Sequence, residues 1–369
     1  MLWAGSDDGL VHLTQDGGKT CKNVTPKKMQ EGIVNSIEVS PHNPAKAYIV
    51  LMRYKAMDLT PYVFKTEDFG ANWELITSGI EGAHTFVRVV RADKKVPGLL
   101  YAGTETGFYI SYNDGNHWES FQNNLPVVPI NDLFIQDNDL IAATAGRSFW
   151  ILDDLSSLQE QQRVKGLHLI SPKVTYRLSS GKTPKGSAQG TNPASGIYLD
   201  YYLPTVLDST QVTLEILSNG KVIREYTSEK PAHTTSWPGG PSSELVLPKK
   251  EGFNRVHWDF RRAPIPAVDK VFVYGSYAGS RVGPGTYKAR LTYGPEQRET
   301  SLIVLANPNI DAIQADFDEQ QALLDKIDAA LGTIHDSVSR MREIQAQLQY
   351  YIKRLKGKTC RTTRCPFQY

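Results

Sequence analysis

Residues 111–118 read SYNDGNHW, and two earlier stretches have the same shape: TQDGGKTC at 14–21 and TEDFGANW at 66–73. Their shared glycine stands at positions 18, 70 and 115, so the copies recur at roughly the 40 to 50 residues that one propeller blade of four strands occupies. The chain is therefore predicted to repeat one β-hairpin unit.

Each copy combines four residue types that suit a tight turn. A hydroxyl residue comes first, a side chain that can accept backbone N–H groups comes third, a glycine that tolerates positive φ comes fifth, and an aromatic anchor comes eighth. These positions hold Thr14, Asp16 and Gly18; Thr66, Asp68, Gly70 and Trp73; and Ser111, Asn113, Gly115 and Trp118. Cys21 fills the aromatic position of the first copy and should pack less area there.

We term these three turn segments (14–21, 66–73 and 111–118) the tips, and a second repeat precedes them. WAGSDDG at 3–9 and YAGTETG at 101–107 each predict a strand that enters a glycine-containing turn, and a further strand leads from there to the tip. LIAATAGRSFWIL at 140–152 begins with the same strand and turn pattern, but no tip follows it. Three tips are fewer than the four to eight blades of a closed ring, so we expect this chain to be the C-terminal part of a longer propeller whose N-terminal blades are missing here.

The tip pattern, Ser/Thr-x-Asp-x-Gly-x-x-Trp, resembles the Asp-box, or BNR repeat, of sialidases, xyloglucanase-type glycoside hydrolases and the sortilin (VPS10-type) propeller. GRSFWILDDL at 146–155 resembles the end of the propeller in secreted sortilin-like bacterial proteins that are often termed glycosyl hydrolase-like. The resemblance implies that 1–158 forms C-terminal propeller blades and that the protein is extracellular, on the cell surface or periplasmic. It also implies that Asp16 and Asp68 fix loops and are not catalysts.

The sequence pattern changes after residue 158, where the repeats end. Residues 159–196 are expected to be a linker, and a series of short β runs predicts a β-sandwich over 197–306. GFNRVHWDFRR at 252–262 and GPGTYKARLTYG at 283–294 resemble an immunoglobulin-like module, with Trp258 and Tyr287 expected in its core. The fold class is thus mainly β: a partial Asp-box β-propeller, an immunoglobulin-like β-sandwich and a C-terminal amphipathic helical segment.

Apolar residues recur at steps of three and four over 310–356, which predicts one long helix or a pair broken near Gly332. Its stripe must be buried, either against its own chain or in a coiled coil with another copy. The basic, cysteine-containing tail at 357–369 matches no pattern before it.

Composition excludes several classes of protein. With 41 basic and 39 acidic side chains the net charge is +2, which gives no reason to expect nucleic acid as a partner. No apolar run is long enough to cross a membrane, and the first residues lack the pattern of a signal peptide. Three cysteines, two of them five residues apart and without a nearby histidine, predict neither a disulfide framework nor a metal site, and no cofactor is expected.

A glycoside hydrolase needs two carboxyl groups facing across the sugar, and a sialidase also needs arginines for the substrate carboxylate. Asp7, Asp8, Glu105 and Asp132 could line a propeller channel, with Arg147 near the last strand, but none has a diagnostic context. FRRAPIP at 260–266 superficially resembles the sialidase arginine motif, yet it follows all three tips. No catalytic residue is assigned.

Three hypotheses of function remain from the sequence. The favoured one is a noncatalytic extracellular binding or scaffold protein whose propeller face recognises a protein, peptide or polysaccharide. The alternative is a glycoside hydrolase whose catalytic carboxylates lie mostly outside this chain. The third is a purely structural end of a surface protein, since a fold alone does not imply a function.

Overall fold

Residues 1–178, 194–229 and 237–356 are described by the computed structural model, and most of their regular structure is β-strand. The chain divides into two units, Met1–Arg163 and Val164–Tyr369.

The first unit contains four small antiparallel sheets, each made of strands that follow one another along the chain. The first sheet is β1 (Leu2–Gly5), β2 (Val11–Thr14) and β3 (Lys22–Asn23). The second is β4 (Ile33–Val39), β5 (Ala47–Met52), β6 (Val63–Thr66) and β7 (Glu74–Leu75). The third is β8 (Val87–Ala92), β9 (Leu100–Thr104), β10 (Phe108–Ser111) and β11 (Glu119–Ser120). The fourth is β12 (Ile130–Gln136), β13 (Asp139–Thr144) and β14 (Phe149–Leu152), followed by α1 (Ser156–Glu160).

Successive sheets of this unit pack face to face. Every residue of β5 and of β9 is buried, as expected for strands covered on both faces. One cluster joins buried residues of the second and third sheets, among them Tyr48 and Val90, and another joins the third and fourth, among them Tyr101 and Leu133. Serial antiparallel sheets stacked in this way form a β-propeller-like arrangement.

The second unit has two sheets whose inner faces share one hydrophobic cluster. One sheet has the order β15 (His168–Leu169), β17 (Ile197–Leu203) and β20 (Gly252–Trp258). The other has the order β16 (Thr175–Tyr176), β22 (Glu296–Leu305), β21 (Gly285–Tyr293), β18 (Val212–Ser218) and β19 (Lys221–Thr227). Only β16 pairs in parallel among these strands.

The core of the second unit follows from strand alternation. Along β17, every second residue from Ile197 to Leu203 is buried. Trp258 is fully buried and meets Tyr287 edge to face with ring centroids 5.7 Å apart, so both aromatics belong to the core, as the sequence indicated. The immunoglobulin-like classification of this unit stays a prediction.

The stretch expected to be a linker is not wholly irregular. Within 159–196, strands β15 and β16 join opposite sheets of the second unit, because even two residues can pair at a sheet edge. Most of the Gly/Pro/Ser-rich segment at 182–195 lies outside the described residues, as does the tail at 357–369.

The helical segment is one continuous helix, α2 (Gln314–Leu355), and it does not break at Gly332. Its first turn is closed by Asp316, whose carboxylate accepts the backbone N–H of Ile313 at 2.9 Å. No residue of α2 is fully buried.

Candidate functional site

The three tips share one pattern of hydrogen bonds. The backbone N–H of Gly18, Gly70 and Gly115 each donates to the hydroxyl that opens its copy, at 2.9, 2.9 and 3.0 Å. That hydroxyl donates in turn to the side chain at the third position. The same side chain accepts the N–H of the residue four positions on, which closes the turn.

These bonds fix the charge state of the two aspartates. The backbone N–H of Thr20 holds the pKa of Asp16 well below its usual range, and that of Asn72 does the same for Asp68. A carboxylate whose oxygens receive N–H groups of its own loop has little capacity left for substrate. Asn113 makes the equivalent bonds with an amide oxygen and no charge.

The tryptophans of the second and third tips tie each of these tips to the sheet before it. The indole of Trp73 donates to the carbonyl of Val24 at 2.7 Å, and that of Trp118 donates to the carbonyl of Ile76 at 2.8 Å. Trp118 is 1 % exposed, whereas Trp73 is half-buried and Cys21, in the same position of the first tip, is exposed. The anchor thus strengthens from the first copy to the third.

A further tip residue, Asp114, was not singled out by the sequence. Its carboxylate accepts Lys46 Nζ at 2.6 Å and the Tyr48 hydroxyl at 2.5 Å, both from the second sheet. Burial alone would raise the pKa of Asp114, but the bonds from Lys46 and Tyr48 outweigh it and lower the pKa. No repeat signal could have identified it, because the other copies have Gly17 and Phe69 at this position.

The first strands of three successive sheets are joined by Arg91 on β8. Its guanidinium donates to Ser36 on β4 at 2.9 Å, and to Asp132 (2.6 Å) and the carbonyl of Leu133 (2.8 Å) on β12. In a propeller-like arrangement the first strand of each sheet is the one nearest the centre. Arg91 therefore connects three neighbouring sheets at their inner edges.

Glu38 on β4 completes this cluster. One of its oxygens accepts the backbone N–H of Ala92 at 3.1 Å, and the other lies 3.7 Å from Arg91. Burial raises the pKa of Glu38, and the bond from Ala92 together with the charge of Arg91 offsets this only partly. Asp132 was a channel candidate from the sequence, whereas Glu38, which stands within the strand IVNSIEV, was not.

The other channel candidates lie apart. Glu105 forms an ion pair with Arg88, whose Nε lies 2.6 Å from the carboxylate. Arg147 lies in the exposed turn between β13 and β14, and Asp7 and Asp8 lie in the turn between β1 and β2. Within the first unit, which is described throughout, Glu105, Asp132 and Arg147 share no hydrogen bond or ion pair.

The second unit contains a cavity of about 720 Å³ beside the edge strands β19 and β20. Arg224 and Tyr226 of β19 line one side, and His257 of β20 lines another. Trp237, residues 241–245, Asp259 and parts of the segment 261–279 complete the wall, so the carboxyl groups of Glu244 and Asp259 also line the cavity. This size falls within the range of small-molecule sites, and the mixture of aromatic, cationic and acidic groups is unlike an ordinary core.

Arg224 is the most distinctive group in this cavity. Its guanidinium lies over the ring of Tyr226, 4.8 Å from the centroid, which holds the side chain in one orientation. Its Nε is buried and has no hydrogen-bond partner among the described residues. Two neighbours are already engaged: Arg261 donates to the carbonyl of Gly279 at 2.9 Å, and Arg262 pairs with Asp325 of α2.

Two further buried polar atoms of this wall, His257 Nε2 and the Tyr277 hydroxyl, also have no partner in the described part of the chain. Burial lowers the pKa of His257, which keeps its ring neutral at physiological pH. Buried polar groups without partners are rare in folded proteins and call for an explanation. These atoms are closed to solvent, so a guest would reach them only after a shift of the wall.

The sequence did not predict this site. The FRRAPIP stretch was set aside because it follows the tips, yet residues 261–266 form part of the wall. Arg224 and His257 carry no motif and meet only because β19 and β20 are the edges of opposite sheets. Among residues 1–178, 194–229 and 237–356, no group of three or more His, Cys, Asp and Glu could hold a metal ion. In the same ranges, no helix is long and apolar enough to cross a membrane.

No protein-family model matches the chain, and no curated protein does. Solved structures that match are β-propeller-type proteins. YCF48 bound to a D1 peptide has a TM-score of 0.31 at 16 % identity, covering 55 % of this chain and 59 % of that one. An ancestral GH74 enzyme has a TM-score of 0.33 at 15 % identity, covering 61 % and 30 %. The GH74 xyloglucanase of Xanthomonas campestris has a TM-score of 0.34 at 11 % identity, covering 82 % and 42 %.

The chain spans less than two thirds of each of these structures. At such scores the likeness carries no argument about this chain.

Proposed function

We propose that this chain is a noncatalytic binding protein that recognises an acidic glycan through the cavity of its second unit. The observation that carries the proposal is the guanidinium of Arg224, which lines the cavity and is stacked on Tyr226. A guanidinium suits a carboxylate or sulfate because its planar fork can donate two parallel hydrogen bonds.

The remaining wall suits the body of a sugar acid. Trp237 and Tyr277 line the cavity with aromatic rings, and the carboxyl groups of Glu244 and Asp259 can accept hydrogen bonds from sugar hydroxyls. Ligand sites typically combine a mainly apolar wall with a few placed polar groups.

The first unit is proposed to act as scaffold. Its three tips are proposed to be Asp-box hairpins, with Thr14, Asp16, Gly18, Thr66, Asp68, Gly70, Trp73, Ser111, Asn113, Gly115 and Trp118 in structural roles. The sequence favoured its propeller face as the binding surface for protein, peptide or polysaccharide. The geometry favours the cavity, because the charged side chains on β4, β8 and β12 are largely paired with one another. An extracellular or periplasmic location remains a proposal from the resemblance to secreted proteins.

Titration calorimetry with uronic-acid oligosaccharides and their neutral counterparts tests the proposal. Binding of the acidic series alone is expected, and Arg224→Gln should weaken it by roughly 10- to 100-fold, the worth of a hydrogen bond to a charged group. Arg298→Gln is the matched control, because Arg298 is an exposed arginine of the same unit that pairs with Glu296. Equal binding of neutral sugars, or equal losses in both variants, would refute the assignment.

A glycoside hydrolase is the second candidate, and Glu38 is the observation that favours it. A buried carboxyl with a raised pKa suits a general acid, and Asp132 supplies a second carboxyl group at the same arginine. Release of reducing ends from a polysaccharide panel, abolished by Glu38→Gln in a folded protein, would establish it. Activity that persists in that variant would exclude Glu38.

A further inference from the structure

Helix α2 has two different faces, and only one of them contacts the rest of its unit as far as residues 164–178, 194–229 and 237–356 show. Asp328 accepts a hydrogen bond from Ser280 at 2.5 Å, and Gln321 accepts one from the backbone N–H of Gly283 at 3.2 Å. Further along, His335 contacts the Pro266 carbonyl at 2.9 Å. The half-buried Leu324, Leu331 and Val338 lie on this side, so it is the packing face.

A second apolar stripe runs along the helix about a quarter turn away. It consists of Leu323, Ile327, Ala330, Ile334, Ser337, Met341, Ile344, Leu348, Tyr351 and Leu355, and we term it the seam. The eight large side chains among these are 43–66 % exposed. A face of this length left in water is expected to be an interaction surface.

The spacing of the seam identifies the kind of partner. Its steps alternate strictly between four and three residues from Leu323 to Leu355. That is a heptad repeat, which keeps side chains facing a second helix that winds around the first. A helix packed on a sheet or dissolved in a bilayer surface does not require this alternation.

We propose that the seam binds the seam of a second copy of this chain, in an antiparallel two-helix coiled coil. The first argument is charge. Residues 314–336 carry six acidic side chains and one basic, namely Asp316, Asp318, Glu319, Asp325, Asp328 and Asp336 against Lys326. Residues 337–356 carry five basic and one acidic, namely Arg340, Arg342, Lys353, Arg354 and Lys356 against Glu343. Asp328 belongs to the packing face and Asp325 pairs with Arg262, so the net charge of each half decides here. Only an antiparallel pair sets the acidic half of each helix beside the basic half of the other.

The second argument is volume. An antiparallel register centred near Ser339 brings Ala330 opposite Leu348 and Ser337 opposite Met341 of the second copy, so each small residue meets a large one. A parallel pair would set alanine against alanine and serine against serine, leaving two gaps in the interface. Two kinds of contact are adverse, since Lys326 comes near Arg354 of the second copy and Arg340 comes near Arg340 of the second copy. These side chains lie at the solvated flank, where a charge pair changes the energy little.

Sedimentation equilibrium of the intact chain tests the association. A dimer is expected, and Leu348→Glu should convert it to a monomer because a charge would be buried in the seam. Ala346→Glu introduces the same charge on an exposed position away from the seam and should leave the dimer intact. Circular dichroism checks that both variants retain the helix. A monomeric parent at the highest soluble concentration, or equal dissociation of both variants, would overturn the proposal.

Distances between spin labels test the antiparallel orientation of the two helices. In a chain with Cys21, Cys360 and Cys365 replaced by serine, a nitroxide is placed at position 322 or 346. With a rise of about 1.5 Å per residue, the antiparallel register separates the paired labels along the axis by roughly 50 Å at 322 and roughly 20 Å at 346. Equal separations at both positions would indicate a parallel pair and contradict the proposed orientation.

Discussion

The indole nitrogen of Trp118 lies 2.8 Å from the carbonyl oxygen of Ile76, the residue that follows the last strand of the preceding sheet. Trp73 makes the same bond to Val24, which follows the last strand of the first sheet. The tips therefore hold successive sheets together as well as closing their own hairpins.

Replacing Trp118 by phenylalanine should lower the free energy of unfolding of the first unit by about 1–3 kcal/mol, because the buried carbonyl of Ile76 loses its donor. Trp73→Phe should cost less, since Trp73 is only half-buried and water can reach its acceptor more readily. Urea denaturation monitored by the remaining tryptophan fluorescence measures both. A larger loss for Trp73→Phe would contradict the ranking of the two anchors.

The glycines of the tips should differ in their tolerance of alanine. Both Gly18 and Gly115 have positive φ, at 98° and 84°, which costs an alanine roughly 1 kcal/mol or more. At Gly115 the new methyl group would also lie 2.3 Å from Ile76 Cδ1, whereas nothing lies within 4 Å at Gly18. Thermal unfolding should therefore show a clearly greater loss for Gly115→Ala, and equal losses would mean that Ile76 moves aside freely.

Asp68→Asn should be tolerated at neutral pH, because Asn113 makes the equivalent bonds in the third tip. Asp68→Ala removes the acceptor and should destabilise the tip. The lowered pKa of Asp68 gives a pH signature. Its stabilising contribution is present above the unfolded value, near 3.8, and is lost as the pH falls through the lower folded value. The asparagine variant should lose this part of the acid sensitivity, measured as unfolding midpoints between neutral and strongly acidic pH.

Glu38 should behave in the opposite sense. Its raised pKa means that the folded state binds a proton more readily than the unfolded chain, whose value is 4.5, so stability declines as the pH rises from 4.5 through the folded pKa. Glu38→Gln keeps an oxygen for the N–H of Ala92 and removes the buried charge. The variant should match or exceed the parent in stability at pH 7, and its advantage should shrink toward pH 4. A marked loss at pH 7 would show that the ion pair with Arg91 outweighs burial.

The strands of both units could largely be predicted from the sequence, because turn residues and alternating apolar positions are local signals. Strands β17 to β22 all lie within the stretch 197–306, where short β runs were predicted. The single helix through Gly332 was one of two predicted alternatives, and one internal glycine costs too little to break a long helix.

The charged contacts could not be predicted in the same way. Glu38, Arg91 and Asp132 come from three different sheets, and Arg224 and His257 from the edges of two others. These contacts depend on how the sheets stack and on which strands lie at a sheet edge. Local sequence patterns predict neither. The candidate cavity was missed for this reason, although one stretch of its wall had been noticed.

Trp73 and Trp118 bond to carbonyls that precede them in the sequence, and this order bears on how the chain folds during synthesis. Each tryptophan reaches back to an acceptor 49 or 42 residues earlier in the sequence. The acceptor has therefore always left the ribosome before its donor, so every new hairpin finds its docking place already made. Sheets can be added one at a time from the N-terminal side, with each tip tryptophan docking on an acceptor that is already in place.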